Sequence, residues 1–284
     1  MTASERVNLI KEISSVMSTE DWSLIDLTLR QFNFETLETY NGDSFHYLLQ
    51  QLESGQDSDI LSLATHLKIE LNTTESELNP GFWREGYFKL FISHLSSEKI
   101  RANDLKDILE NYAISGFVAH TDIEPTKVWQ NEIEIALRTC DALLALMTPK
   151  FHESNWTDQE IGIALGRDLL IVPARLGRDP YGFIGKFQAI TDKRDDLLAE
   201  ELLISLIKNK KTNKKMAYAL MTMFENSNTF ADAKRNIALV RKIEYWDDKL
   251  IDRLKQSKDN NSQIRESFGV PASIEYLLDT LTNK

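Results

Sequence analysis

Short apolar runs alternate with segments of helical spacing between residues 88 and 174, and few folds are compatible with that order. Four runs have the length and composition of buried strands: FKLFIS (88–93), GFVAH (116–120), ALLALM (142–147) and LLIVPA (169–174). The segments between them carry apolar residues three and four positions apart, as one face of a helix does: 101–114, EIEIAL (132–137) and QEIGIAL (159–165). Strands and helices that alternate through short loops form a parallel sheet with helices on both faces. The sequence therefore predicts an α/β domain here.

Helical patterns flank this central region on both sides. Before it, apolar residues recur at helical spacing and predict about four short helices, and the polar segment NTTESELNPG (72–81) is typical of a linker. After it, helices are predicted over 195–207, over 216–224, as one longer helix from a cap at Thr229, and over 273–281. We therefore predict three regions: a helical N-terminal region at 1–80, the central domain at 85–190 and a helical C-terminal region at 191–284.

Charge and cysteine content narrow the functional classes. Lys and Arg number 33 against 44 Asp and Glu, a net charge of −11, and an acidic chain repels the phosphate backbone of nucleic acids. The lysine-rich segment KNKKTNKK (208–215) is better interpreted as a solvated turn than as a nucleic-acid or lipid patch. The single cysteine, Cys140, cannot form an internal disulfide and fits a reducing compartment. The N-terminus lacks a signal-peptide core and the apolar runs are short, so we expect a cytoplasmic protein without membrane contact.

Several common catalytic motifs are missing from the sequence. It contains neither the dinucleotide fingerprint G-x-G-x-x-G after the first strand nor the phosphate-loop motif, and it has no G-x-S-x-G nucleophile elbow. The five histidines have no spacing that is typical of metal ligands, so no metal site is predicted.

The topology of an open parallel sheet indicates where a ligand would bind. Ligands lie at the carboxyl ends of the strands where the winding direction reverses, which in the flavodoxin-like order is between the first and third strands. Ser93 and His94 end the first strand-like run, whereas Trp156 and Glu160 follow the third. Trp156 and Glu160 are four residues apart, so on a helix they share one face. An aromatic ring that can stack on a substrate ring would then stand beside a carboxylate.

Each of these residues also has a purely structural interpretation. Thr157 and Glu160 have the spacing of a capping box, in which the glutamate only satisfies backbone N–H groups at a helix start. Ser93 would then cap the next helix, His94 would be an ordinary loop histidine and Trp156 would pack on the sheet edge. Spacing alone does not decide between the two interpretations. For Glu132 and Glu134, on the preceding helix, a solvated helix face is the better interpretation.

At these positions the central region resembles a TIR (Toll/interleukin-1 receptor) domain of the bacterial type. The matching strings, in the family's order and separation, are FKLFISH (88–94), GFVAHTDIEP (116–125), WQNEIEIAL (129–137), CDALLALMTPKFHESNWTDQEIGIALGR (140–167) and IVPARLG (171–177). The resemblance covers residues 85–190, just over a third of the chain. It implies a flavodoxin-like five-stranded parallel sheet.

The resemblance also implies an activity and a set of site residues. Many bacterial members of the family cleave NAD+ at the nicotinamide–ribose bond with a glutamate on the helix after the third strand, which here is Glu160. The aromatic residue four positions earlier is Trp156, which would stack on a substrate ring or wall the pocket, while Ser93 and His94 would contact ribose or phosphate. Many catalytic members have an acidic residue near the end of the second strand; this chain has Ala119 and His120 there, so His120 and Asp122 are kept as pocket-lining candidates. NAD+ is then a substrate rather than a cofactor, and both ADP-ribose and a cyclic isomer stay open as products.

Two functional classes follow from the resemblance. In the first, the protein is an NAD+-cleaving antiphage or immune effector that becomes active when several TIR domains assemble, with the helical flanks as assembly or sensing units. In the second, it is a noncatalytic scaffold that signals through TIR–TIR contacts. The pairing of Trp156 with Glu160 favours the enzyme, because a scaffold has no need of that pair in the cleft.

Overall fold

The computed structural model describes residues 3–37, 39–67, 69, 81–119 and 129–282, and the chain divides into two compact units, residues 1–78 and 79–284. The described part of the first unit contains four helices: α1 (Ala3–Met17), α2 (Trp22–Gln31), α3 (Ser44–Glu53) and α4 (Asp57–His66). Their apolar faces form a separate core around Ile13, Leu29 and Leu48, which are fully buried. The four short helices predicted from spacing are confirmed.

The second unit is built on a five-stranded parallel sheet. Its strands are β1 (Phe88–Ser93), β2 (Ile114–Phe117), β3 (Ala142–Met147), β4 (Leu170–Arg175) and β5 (Ile190–Thr191). They lie in the order β2-β1-β3-β4-β5, and every neighbouring pair is parallel. This is the flavodoxin-like order, whose winding reverses between β1 and β3. The predicted fold class is confirmed.

Helices cover both faces of this sheet. On one face lie α5 (Lys99–Glu110) and α8 (Asp195–Lys208), and on the other lie α6 (Trp129–Thr139) and α7 (Thr157–Gly166). Successive residues of a strand point to opposite faces. Leu90 and Ile92 of β1 therefore enter the core under α5 and α8, whereas Phe91 enters the core under α6 and α7.

Five further helices follow α8 in the described chain. They are α9 (Asn213–Glu225), α10 (Phe230–Val240), α11 (Asp248–Asn260), α12 (Ser262–Arg265) and α13 (Val270–Thr282). Fully buried residues of α9, including Leu220 and Phe224, belong to the same core as β1 and α5. The C-terminal helices are thus packed into the unit that holds the sheet, and the predicted boundary at residue 190 stays a prediction.

Two details differ from the sequence-based predictions. The second strand lies at 114–117 instead of 116–120, because Ile114 to Phe117 pair with Phe88 to Phe91 of β1. The helix expected from a cap at Thr229 does begin there, since the Thr229 hydroxyl accepts from the backbone N–H of Asp232, but its greater length is wrong: α10 ends at Val240, and α11 begins at Asp248. In the lysine-rich segment the lysines are exposed, as the interpretation as a solvated turn predicts; Lys211, in the turn, pairs with Asp168, and Lys215, in the first turn of α9, pairs with Asp141. Both pairs lie at the amino edge of the sheet, since Asp168 precedes β4 and Asp141 precedes β3.

Within the described ranges, the structure contains no helix with the length and apolarity that a membrane crossing requires.

Candidate functional site

A cavity of about 360 Å³ opens at the carboxyl ends of β1 and β3. That volume lies in the range of small-molecule sites, and its position is the one where ligands bind in sheets of this order. The loops after β1 and β3, the end of β2 and the helices α6 and α7 all contribute to its wall. The described lining residues are His94, Leu95, Ser96, Ser97, Ala119, Ile133, Lys150, Glu153, Ser154, Trp156 and Glu160.

Ser93 and Glu160 meet beside this cavity. Ser93 is the last residue of β1 and lies two positions after Phe91, so its side chain points to the face that carries α7. Its hydroxyl donates a hydrogen bond of 2.6 Å to Oε2 of Glu160, in the first turn of α7. Both residues are buried, with 1% and 5% of their surface exposed. The fold thus brings together two of the predicted site residues that are 67 positions apart in the sequence.

The environment of Glu160 changes its acidity. Burial raises the pKa of its carboxyl from an ordinary value of 4.5 to about 7, while the hydrogen bond from Ser93 acts in the opposite direction. Burial disfavours a charge that water no longer solvates, and a hydroxyl that donates to the carboxylate favours the ionised form. At neutral pH the group therefore has access to both protonation states. Buried acids with perturbed pKa values in clefts are candidates for functional residues.

The capping-box interpretation of Glu160 is wrong. In the structure the residue before α7 is Trp156, and no side chain caps this helix start. The Thr157 hydroxyl donates to the carbonyl of Phe151 at 2.6 Å, and the backbone N–H of Glu160 donates to the carbonyl of Trp156 at 2.9 Å. The Glu160 carboxyl is instead directed at Ser93. The helical turn at Ser96–Glu98 and helix α5 begin after Leu95 and Glu98, so the expectation that Ser93 caps the next helix is also wrong.

Trp156 and His94 line the same cavity from the segments that follow β3 and β1, respectively. Trp156 is half-buried, and with Ala119 and Ile133 it gives the cavity an apolar wall. His94 is also half-buried, and its Nδ1 lies 2.9 Å from the carbonyl oxygen of Ile92. A carbonyl oxygen only accepts, so Nδ1 is the nitrogen that carries a proton in this geometry. His120 and Asp122 lie outside the described residues, and their assignment to the pocket stays a prediction.

Sequence reasoning missed several residues of the cavity wall. Lys150, Glu153 and Ser154 belong to the segment that directly follows β3, so their place at the carboxyl edge of the sheet was a signal that could have identified them. Glu132 was expected on a solvated helix face, and this is wrong, because only 6% of it is exposed. It lies four positions before Ala136 on α6, and therefore shares the face that packs on the sheet. Glu134 is exposed and pairs with Arg138, as expected for a solvated face.

The loop after β4 braces the segment that carries Trp156. Arg178 donates from Nη1 to the carbonyl of Pro149 at 3.1 Å and to Nδ1 of His152 at 2.8 Å. Its guanidinium lies 4.5 Å from the ring centroid of Tyr181, whose hydroxyl donates to Asp158 at 2.5 Å. Asp158 is in the first turn of α7, one residue after the helix begins. These contacts fix the segment at both of its ends, before and after Trp156.

Comparison with known proteins gives one match. Residues 90–203 match the family model described as TIR domain, a range that runs from β1 into α8 and includes the cavity and its described lining. No curated protein and no solved structure matches the chain.

Proposed function

Since residues 90–203 of this chain are a TIR domain, we propose that the protein cleaves NAD+ at the bond between nicotinamide and ribose, with Glu160 as the catalytic carboxylate. The observation that carries the proposal is the carboxyl group of Glu160, which is buried and hydrogen-bonded to Ser93, in a residue that lines the cavity at the carboxyl ends of β1 and β3. The TIR family includes both NAD+-cleaving and scaffold proteins. A scaffold would have no use for a buried acid at the ligand-binding edge of the sheet.

The charge of the substrate fits this carboxylate. Among the described residues, burial and the Ser93 hydroxyl are the two influences on the Glu160 pKa, and no cation contributes. A buried carboxylate without a cationic partner is unfavourable. The pyridinium ring of NAD+ and the oxocarbenium-like ribose that forms on cleavage are both cationic. Either one supplies the missing opposite charge.

Cleavage of the nicotinamide–ribose bond needs a carboxylate near the ribose and no strong general acid. The C–N bond breaks, its electron pair goes to the ring nitrogen, and nicotinamide leaves as a neutral molecule. Positive charge develops on the ribose, where the Glu160 carboxylate stabilises it as it forms. A water molecule then attacks the ribose carbon and loses a proton to give ADP-ribose, or an atom of the same substrate attacks and gives a cyclic isomer. Ser93 orients the carboxylate, Trp156 stacks on a ring of the substrate, and no cofactor takes part.

Nicotinamide release from NAD+ by the full chain tests the proposal. Wild type is assayed at high protein concentration with a crowding agent, beside Glu160→Gln and Glu160→Ala. Glu134→Gln is the matched control, because it neutralises an exposed carboxylate on α6 outside the cavity. We expect both Glu160 variants to lose at least about 100-fold in rate, the scale for removal of a transition-state charge partner, while the control keeps wild-type activity. Circular dichroism verifies that each variant is folded.

A scaffold is the second candidate, and the same experiment separates it from the enzyme. TIR domains commonly associate with one another. If wild type releases no nicotinamide under any condition and still self-associates, the scaffold function replaces the catalytic one.

We further propose that the protein is a bacterial immune effector that acts in the cytoplasm and is activated by self-assembly. In that case the rate per molecule rises with protein concentration, together with oligomer size measured by light scattering. Expression of wild type, but not of Glu160→Gln, is expected to lower the cellular NAD+ pool. A rate per molecule that is independent of concentration across the change in oligomer size would contradict activation by assembly.

A further inference from the structure

The cavity contains opposite charges at two places. Glu160 is buried on the side of α7, whereas Lys150 and Glu153 lie in the loop after β3, with 75% and 56% of their side chains exposed. Lys150 is the one lysine or arginine among the described residues that line the cavity. A molecule that fills the cavity therefore touches a buried acid and a solvent-exposed cation at once.

We propose, as an extension of the NAD+-cleaving function proposed above, that Lys150 binds a phosphate of the substrate and makes the site select phosphorylated pyridinium nucleosides over unphosphorylated ones. The charges of the substrate are complementary to those of the cavity. A cationic ring and ribose face Glu160, and the phosphate on the other side of the ribose faces Lys150. Ser96 and Ser154 place further hydroxyl groups along the cavity wall, and hydroxyl groups donate hydrogen bonds to phosphate oxygens.

Glu153 competes with the phosphate for Lys150. Nζ of Lys150 lies 3.8 Å from Oε2 of Glu153, which is longer than a hydrogen bond. An exposed pair at this distance contributes little, so a phosphate displaces it readily. The Glu153 carboxylate also repels a phosphate that approaches the same ammonium group. Removal of the Lys150 charge should consequently lower the affinity for phosphate, and removal of the Glu153 charge should raise it.

Steady-state kinetics of the full chain test the assignment with three substrates: NAD+, nicotinamide mononucleotide, and nicotinamide riboside, which has no phosphate. We expect Lys150→Gln to raise KM about fivefold for the first two without a change in kcat, and to leave the riboside unaffected. Glu153→Gln should lower KM about twofold for the phosphorylated substrates. Both changes in KM should be smaller in about 0.5 M salt, because salt screens exposed charges. Lys210→Gln is the matched control, since Lys210 is exposed in the turn after α8 and does not line the cavity.

A binding measurement separates this proposal from the proposed function. ADP-ribose keeps the diphosphate and lacks the pyridinium bond, so calorimetric titration of the full chain with it needs no turnover. Lys150→Gln is expected to weaken this binding about fivefold, and Glu153→Gln to strengthen it. If NAD+ is not cleaved but ADP-ribose binds in this Lys150-dependent way, the cleavage function fails and the phosphate subsite stands. Glu160-dependent cleavage with unchanged KM in Lys150→Gln, equal effects on the riboside, or no binding of ADP-ribose by wild type overturns the subsite.

Discussion

At Glu160 two influences act on the pKa in opposite directions: burial raises it to about 7, and the Ser93 hydroxyl holds it lower than burial alone would. If the ionised carboxylate is the catalytic form, kcat/KM for NAD+ should rise with pH and level off above about 7. Ser93→Ala removes the hydrogen bond that favours ionisation, so the rising limb should move to higher pH. A pH profile of kcat/KM for both proteins measures this. Two results would contradict catalysis by an ionised Glu160 that Ser93 helps to ionise. One is a rising limb of kcat/KM at the same pH in Ser93→Ala and in wild type, and the other is a kcat/KM that falls between about pH 6 and pH 8.

The same raised pKa has a consequence for stability. A carboxyl whose pKa is higher in the folded than in the unfolded chain stabilises the fold in its protonated form, and this contribution is lost as pH rises through the two pKa values. With pKa values of 4.5 unfolded and about 7 folded, ionised Glu160 lowers the free energy of unfolding by on the order of 3 kcal/mol above neutral pH.

We therefore expect Glu160→Gln to be more stable than wild type at about pH 8 and nearly equal to it at about pH 4.5. Urea unfolding at the two pH values measures the difference, with Glu134→Gln as the control for loss of an exposed carboxylate. A Glu160→Gln variant that is less stable than wild type at the higher pH would mean that the carboxylate has a structural role.

Among the elements, the segment between β3 and α7 holds Trp156 and leads into the turn that holds Glu160, and Arg178 fixes its start through Pro149 and His152. Arg178→Gln removes the guanidinium that donates to Pro149 and His152, so the segment that carries Trp156 is held less firmly. We expect kcat to fall about tenfold, because small displacements of catalytic groups slow the reaction strongly. The hydrogen bonds of Arg178 are exposed to solvent, so the midpoint of thermal unfolding should change little. Arg175→Gln is the matched control, since Arg175 ends β4 and its guanidinium pairs with the exposed Asp179. Equal kcat values for the two variants would contradict the bracing role.

The elements show which parts of the fold the sequence could predict. β1 and β3 are central strands of six residues each and are almost entirely buried, and their predicted bounds agree with the structure. Within the described residues β2 is an edge strand that pairs with β1, so its ends are set by hydrogen-bonding partners that the apolar pattern does not reveal. Helix α11 escaped prediction because its buried stripe is narrow, with Leu250, Leu254 and Ser257 in an otherwise charged segment.

The candidate site was predictable to a similar extent. Topology and resemblance brought Ser93, His94, Trp156 and Glu160 to one edge of the sheet, and all four lie at or beside the cavity. The hydrogen bond between Ser93 and Glu160 could not be predicted from spacing, because it joins residues from two elements whose relative position only the packed sheet defines.

On the scale of the second unit, the helices after α8 belong to the core of the sheet. Met216, Leu220 and Phe224 of α9 are fully buried in the cluster that contains β1 and α5. A chain of residues 79–284 is therefore expected to unfold cooperatively by itself, whereas residues 79–208 should fail to fold because that apolar surface is exposed. Thermal unfolding followed by circular dichroism measures both. A cooperative transition of 79–208 at the midpoint of the longer chain would show that the C-terminal helices are a detachable module.

The most direct test of Glu160-dependent NAD+ cleavage is nicotinamide release from NAD+ at about pH 8 by wild type and by folded Glu160→Gln, since at that pH the wild-type carboxylate is mostly ionised. We expect release by wild type and a loss of at least about 100-fold in Glu160→Gln, in a variant that is as stable as wild type or more so. Equal rates in the two proteins would contradict Glu160-dependent cleavage, because the buried acid at the edge of the sheet would then take no part in the reaction.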